Sequence, residues 1–197
     1  MKEVIMFPWV SFLSYIFIMA YTPGPNNIMS MNNTKNVGFK RGIVFNLGIF
    51  AGFFVVMILC LVFSTVLYTL IPKIQFPMKI LGAAYMVYLI IKTLVPSKAH
   101  EIKNNNGSFL VGALLQLINP KIIIYGITAM SSYILVYYEA VPILIFFVFL
   151  LAFVGFTGTI CWALFGSLFS ILFNKHGKIL NIIMAILLLY CAVSLFL

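Results

Sequence analysis

The chain has 197 residues, of which 64% are hydrophobic and 8% charged, and its mean hydropathy is +1.17. Soluble domains are about a quarter charged, so this composition excludes a water-facing globular protein and predicts an all-α membrane protein. The net charge of +9 does not indicate nucleic-acid binding, because the basic residues stand singly or in pairs between apolar runs. The three cysteines form no C-x-x-C pair, and we expect neither a metal nor a cofactor.

Six segments are apolar enough to cross a bilayer, which takes about 20 residues of helix. They are residues 7–29, 43–70, 77–96, 109–134, 140–168 and 177–197. The first is interpreted as a retained span, because no A-x-A cleavage site ends it. The pattern therefore predicts six transmembrane helices in a single transmembrane domain that covers residues 1–197.

Lysine and arginine residues predict the orientation, because cytoplasmic loops are the more basic ones. Eight lie in the loops after the first, third and fifth spans: Lys35, Lys40, Arg41, Lys92, Lys98, Lys103, Lys175 and Lys178. Three lie on the opposite side: Lys2, Lys73 and Lys79. We therefore expect both termini outside the cell.

Helix-breaking motifs interrupt the first and fourth spans. T-P-G-P-N-N runs from Thr22 to Asn27, and N-P-K from Asn119 to Lys121, so their prolines are 95 or 97 positions apart. The tripeptide K-I-L also recurs, at 79 and 178. These offsets favour a duplication over chance matching, with one repeat at about 1–96, a linker at 97–108 and a second at about 109–197. Since three spans are an odd number, the second repeat is inverted.

The paired breaks in spans 1 and 4 predict a substrate site. Proline frees backbone groups, which in a membrane must be satisfied internally or face a water-filled cavity. Either motif alone is compatible with simple kinking, but their pairing favours a site. The predicted substrate-binding residues are Pro23, Gly24, Pro25, Asn26, Asn27, Asn119, Pro120 and Lys121. The candidate path residues, each equally compatible with helix packing, are Asn46, Tyr85, Gln116 and Tyr125.

These motifs, together with Gly38, Gly42, Gly48, Gly52 and L-G-A-A-Y at 81–85, resemble the LysE/RhtB family of amino-acid exporters over the whole chain. The stretches K-I-I-I-Y-G-I-T-A at 121–129 and C-W-A-L at 161–164 are most similar to its cysteine/O-acetylserine subgroup. The resemblance implies export of a small amino acid across the bacterial inner membrane by alternating access. A homodimer is expected only by fold-level analogy.

The distribution of charge bears on the substrate. The chain has no Asp, and Glu3, Glu101 and Glu139 all lie outside the predicted spans. Because a desolvated cation must be paired, this favours a neutral zwitterion over a cationic solute. Lys121 lies deep in a span. Its functional roles would be to bind a carboxylate or to change protonation during transport, and its structural roles would be to snorkel or to cap the break at Pro120. Homoserine/threonine export and cationic-solute export stay open as alternatives. A membrane-embedded enzyme, for which the spans hold no acidic cluster, and a structural membrane protein are disfavoured.

Overall fold

The computed structural model describes residues 6–64, 80, 83–84, 86–88, 90–91, 94, 108–168 and 170–194. Seven long helices lie in these ranges: α1 (Trp9–Tyr21), α2 (Pro25–Val37), α3 (Phe39–Val62), α4 (Phe109–Leu117), α5 (Pro120–Thr128), α6 (Val141–Leu168) and α7 (Ser170–Ser194). A π-helical segment, Ala129–Ile134, continues α5. The described part of the chain is helical without strands, which confirms the predicted class. Much of the predicted third span, Tyr85, and linker residues 97–107 fall outside it.

Two of the described helices, α3 and α6, are long and apolar enough to cross a membrane. The pair Phe109–Leu117 and Pro120–Ile134 makes a third if it is one span, and it bends by 62° at its break. Large apolar side chains are exposed along these helices, among them Val44, Leu47, Val55, Ile58, Phe146, Phe149 and Phe153. Such a surface suits lipid, in agreement with the predicted apolar membrane protein.

The structure corrects the predicted boundary of the first span. We expected a loop after residue 29, but α2 continues to Val37 and α3 starts at Phe39, so Lys35, Lys40 and Arg41 are all helical. Only Gly38 separates the two helices, and its φ of 78° with ψ of 162° is a conformation open almost only to glycine. The result is a tight antiparallel hairpin of α2 and α3.

Helix α6 fixes the direction of α1 and α2. Along α6, Phe147 packs on Phe12, Gly158 on the carbonyl of Ala20, and Gly166 on the carbonyl of Met31. The residue numbers increase together on both sides of these contacts, so α1 and α2 both run parallel to α6. In addition, the Thr34 hydroxyl donates to the Ala163 carbonyl at 2.6 Å, a bond that ties α2 to α6.

Glycines bring α3 against α4. A Cβ at Gly48 would collide with the backbone of Phe109, and one at Gly52 would collide with Ala113. The G-x-x-x-G spacing thus serves close packing, as small residues do at membrane helix interfaces. Because the contacts rise in the same order, α4 is parallel to α3, and it is therefore opposite in direction to α2.

An aromatic cluster lies at the N-terminal end of α1. Phe7 and Phe12 have ring centroids 5.2 Å apart, and each lies within 5.6 Å of the Phe147 ring. Tyr133 and Tyr138 pack on the same group at 5.8 and 5.4 Å. This end of the bundle is closed by apolar packing, and the opposite end carries the basic residues beside Gly38.

Candidate substrate site between two helix breaks

The first break separates α1 from α2. Helix α1 ends at Tyr21, and α2 begins at Pro25 with Gly24 as an N-cap whose backbone is extended. Proline suits this first position, since its missing N–H would have no helical acceptor. No side chain caps α2, so the N–H groups of its first turn lack acceptors within the helix. The break therefore combines the positive end of the α2 dipole with the carbonyl end of α1.

The second break separates α4 from α5. Helix α4 ends at Leu117, and α5 begins at Pro120. Here Asn119 is the N-cap, and its side-chain oxygen accepts from the backbone N–H of Lys121 at 3.1 Å. The carbonyl of Asn119 also accepts from the N–H groups of Ile122 and Ile123, at 3.1 and 3.2 Å. The start of α5 is thus satisfied by its own cap.

A buried amide network joins the breaks. The Asn26 amide donates a short hydrogen bond to Gln116 Oε1, and Gln116 Nε2 returns one to Asn26 Oδ1 at 3.3 Å. Asn119 Nδ2 donates to the same Asn26 oxygen at 3.1 Å. Asn26, Gln116 and Asn119 are each at most 6% exposed, so these bonds satisfy groups that would otherwise be costly to bury. The network holds the start of α2 against the α4–α5 break.

Lys121 reaches from α5 to the carbonyl end of α1. Its Nζ donates to the Thr22 carbonyl at 2.9 Å, to Thr22 Oγ1 at 3.1 Å, and to the Pro23 carbonyl at 3.5 Å. A Cβ at Gly24 would lie 3.0 Å from this Nζ, so the lysine passes directly over the glycine. Asn27 donates to the Thr22 carbonyl as well, at 2.8 Å, and to Ala20 at 3.0 Å. The carbonyls that end α1 therefore bind an ammonium group within the protein.

A pocket of about 350 Å³, including the space at its mouth, lies where these groups meet. Its polar side is formed by Gly24, Asn26, Asn27, Asn119 and Lys121. Its apolar side comprises Met19, Phe53, Ile122, Tyr125 and Gly155. The lining residues thus provide one ammonium group and three side-chain amides but no carboxylate, and the carbonyls of Thr22 and Pro23 lie beside the pocket, bound to Lys121 Nζ.

The structure brings most of the sequence-predicted residues together. Gly24, Pro25, Asn26, Asn27, Asn119, Lys121 and Tyr125 line the pocket, while Pro23, Pro120 and Gln116 adjoin these residues through their contacts. Asn46 is not among the lining residues, and its amide donates to the Gly42 carbonyl. Tyr85 lies outside the described residues.

Sequence reasoning missed other parts of the pocket. Phe53 and Gly155 belong to apolar helices, where nothing in the pattern separates a pocket wall from a lipid-facing position. The ring of Phe53 lies over Gly155 and meets Tyr125 edge-on, with centroids 5.8 Å apart. Thr159 lies two residues after Thr157 on α6, and this pair of hydroxyls in an apolar run was a signal that could have been noticed.

Comparison with known proteins gives the family of this chain. The profile described as LysE type translocator matches residues 17–197. The chain belongs to the LysE-type translocator family. The cysteine/O-acetylserine efflux protein of Escherichia coli (strain K12) is 39% identical to this LysE-type chain over 187 residues, which cover 94% of it and 96% of the relative. The protein of the same name from Shigella flexneri serotype 5b (strain 8401) matches to the same extent. No solved structure matches the chain.

Membership confirms the resemblance drawn from the P-G-P-N-N and N-P-K motifs. The family description and the names of the relatives indicate a translocator rather than an enzyme. Together with the apolar helices, they indicate a protein of the membrane. For a translocator of this family, a pocket between two helix breaks is the natural candidate for the place where a solute binds.

Proposed function

We propose that this LysE-type translocator exports small neutral amino acids, cysteine or O-acetylserine, from the bacterial cytoplasm by alternating access. The observation that carries the proposal is the pocket, in which Lys121 meets the carbonyl end of α1 beside the uncapped start of α2. The names of the relatives at 39% identity support the same substrates.

The two ends of an amino acid match the two polarities of the pocket. A carboxylate fits Lys121 Nζ and the N–H groups of Asn26 and Asn27, in the first turn of α2, which no side chain caps. An ammonium group fits the carbonyls of Thr22 and Pro23, which Lys121 occupies in this structure. On this proposal, the ammonium group of the substrate replaces Lys121 Nζ at these carbonyls, and Lys121 Nζ then binds the substrate carboxylate. The hydrogen bonds that Lys121 loses are therefore replaced by an ion pair with the substrate. A cationic side chain would find no acid among the lining residues.

The proposed architecture is a pair of inverted three-helix repeats, of about 1–96 and 109–197, in a single domain. Two findings support it: both breaks place a proline at the start of the following helix, and α4 runs opposite to α1 and α2. With the basic end beside Gly38 in the cytoplasm, both termini lie outside. Homodimer formation stays a prediction from analogy.

A transport assay with a substrate panel tests the function. Purified protein is reconstituted in proteoliposomes, and movement of labelled cysteine, O-acetylserine, homoserine, threonine and lysine is measured against empty vesicles. We expect cysteine or O-acetylserine to move fastest and lysine not to move. Fastest movement of homoserine or threonine would favour the other neutral branch, and fastest movement of lysine would favour cation export. Movement of no amino acid by correctly folded protein would contradict the proposal.

A further inference from the structure

Helix α2 is polar in sequence, yet much of it is buried. Asn26, Ser30 and Asn33 follow each other at i, i+4 and i+7, a spacing that puts them on one face of the helix. Asn26 stands at the pocket, and the helix ends at Val37, beside the basic residues. A polar stripe therefore leads from the pocket toward the basic end of the bundle.

Beyond Asn26, the polar groups on this stripe are unsatisfied. Ser30 Oγ and Asn33 Nδ2 are buried without a hydrogen-bond partner in the described part of the chain, and so is Asn46 Oδ1 on α3. Ser30 and Asn46 are 0% exposed. In contrast, Asn27 and Thr34 on the neighbouring face of α2 both bond to backbone carbonyls. Each unsatisfied buried group costs about 1–3 kcal/mol, so a cluster of three calls for an explanation.

The α2–α3 hairpin puts Asn46 at the level of Ser30. Thr34 contacts Gly42, four residues from Gly38 on either side. Ser30 and Asn46 each lie one turn further along their helices and are both fully buried. Asn46 Nδ2 already donates to the Gly42 carbonyl, which leaves the amide oxygen as the unsatisfied atom. A hydroxyl, an amide donor and an amide acceptor are thus available, a set that suits water or a zwitterion.

We propose that Ser30, Asn33 and Asn46 line the inner half of the substrate path, from the pocket to the basic end, and that this structure holds that half closed. The proposal rests on the transport function proposed above. When the inner half opens, water and then substrate satisfy the three groups, which favours opening by removing the cost of leaving them unpaired. The aromatic cluster at the opposite end includes no buried polar side-chain atom without a hydrogen-bond partner among the described residues.

Accessibility of single cysteines tests the path. In a background with Cys60, Cys161 and Cys191 replaced by Ala, Ser30→Cys and Asn46→Cys are treated with a charged, membrane-impermeant methanethiosulfonate. The reagent is added to intact cells or to inside-out vesicles. Ile28→Cys on α2 and Ile49→Cys on α3 serve as matched controls, since both are buried among apolar residues. Asn33→Cys, at a less buried position, provides a third reporter if either polar variant fails to fold.

We expect the path cysteines to react at least about ten-fold faster than the control cysteines, because a thiol must be hydrated to ionise and react. Reaction should occur in inside-out vesicles and slow down when O-acetylserine is added. Labelling no faster than in the controls, or only from the outside of cells, would overturn the proposal. Fast inside labelling in a protein that exports no amino acid would contradict the proposed function instead, while still supporting a hydrated inner cavity.

Discussion

The two helix breaks share a proline at the start of the second helix, but they differ in how their backbone groups are satisfied. At Asn119 the side chain caps α5 itself, and the break spans two residues. At Gly24 no side chain caps α2, and the carbonyls before it are bound by Lys121, which comes from α5, and by Asn27, which lies in the first turn of α2. The start of α5 is therefore capped by the residue that precedes it, whereas the α1–α2 break depends on a side chain from α5.

This difference assigns unlike roles to the two breaks. The α1–α2 break contributes the uncapped start of α2 and the carbonyls that Lys121 and Asn27 bind, and on the proposed function a zwitterion uses both. The α4–α5 break supplies the side chains, with Gln116 and Asn119 holding Asn26 and with Lys121 providing the charge. Two breaks that are similar in sequence thus differ in structure: the first provides backbone groups, and the second provides the side chains that contact them.

The largest effect is expected from Lys121→Met, which removes the ammonium group from the carbonyls of Thr22 and Pro23. Export of cysteine or O-acetylserine should fall about 10- to 100-fold, since a hydrogen bond to a charged group contributes about 1.5–3 kcal/mol. Initial rates in proteoliposomes measure the effect. Lys178→Met, an exposed lysine at the basic end, is the matched control and should export normally. Full export by Lys121→Met would reduce Lys121 to a structural residue.

Asn26→Asp tests how the two breaks are joined. The carboxylate cannot donate to Gln116 Oε1, and it puts a negative charge beside the pocket. We expect neutral amino-acid export to drop about ten-fold, the order of one lost buried hydrogen bond, and preference to shift toward lysine. Competition between labelled cysteine and unlabelled lysine reads out that shift. An unchanged substrate profile would place Asn26 away from the substrate.

Two N-cap residues allow stability and transport to be separated. Asn119→Ala and Ser108→Ala each remove a side chain that accepts from a backbone N–H, and each should lower stability by about 1 kcal/mol. Only Asn119 also bonds to Asn26, so only its variant should slow export at equal folded protein. Thermal unfolding in detergent and vesicle assays on the same preparations make the comparison. Equal transport by both variants would show that the Asn119–Asn26 hydrogen bond does not contribute to export.

The smallest effect on export is expected from Gly24→Ala. The backbone at Gly24 is extended, with φ of −165°, so alanine is allowed there, and the three atoms nearest to its Cβ all belong to the flexible Lys121 side chain. Export should fall a few-fold without loss of stability. Gly38→Ala should show the reverse, since strain at its positive φ costs about 1–3 kcal/mol of folding stability. A Gly24→Ala variant that unfolds like Gly38→Ala would contradict this reading of the first break.

The sequence marks the starts of α2 and α5 through its helix-breaking motifs, because Pro25 and Pro120 each open one of these helices. It places α2 poorly: P-N-N-I-M-S-M-N-N-T-K-N-V has the polarity of a loop, and the helix is held by packing on α3 and α6, as at Thr34. Hydropathy measures transfer to lipid and does not register such tertiary contacts.

The candidate site likewise has parts that could be predicted from the sequence and parts that could not. Asn26, Asn119 and Lys121 could be predicted because polar residues at a break need partners. That Asn26 meets Gln116, 90 positions away, and that Phe53 forms a wall, could not be predicted, because periodicity does not show which helices touch.

The most direct test of the account compares cysteine with cysteamine, the same molecule without its carboxylate, in competition for export by wild type and Lys121→Met. If Lys121 receives the carboxylate, wild type should strongly prefer cysteine, and the preference should shrink about ten-fold or more in the variant. An equal preference for cysteine in both proteins would show that the carboxylate is bound elsewhere, and would contradict the assignment of the pocket between the two breaks.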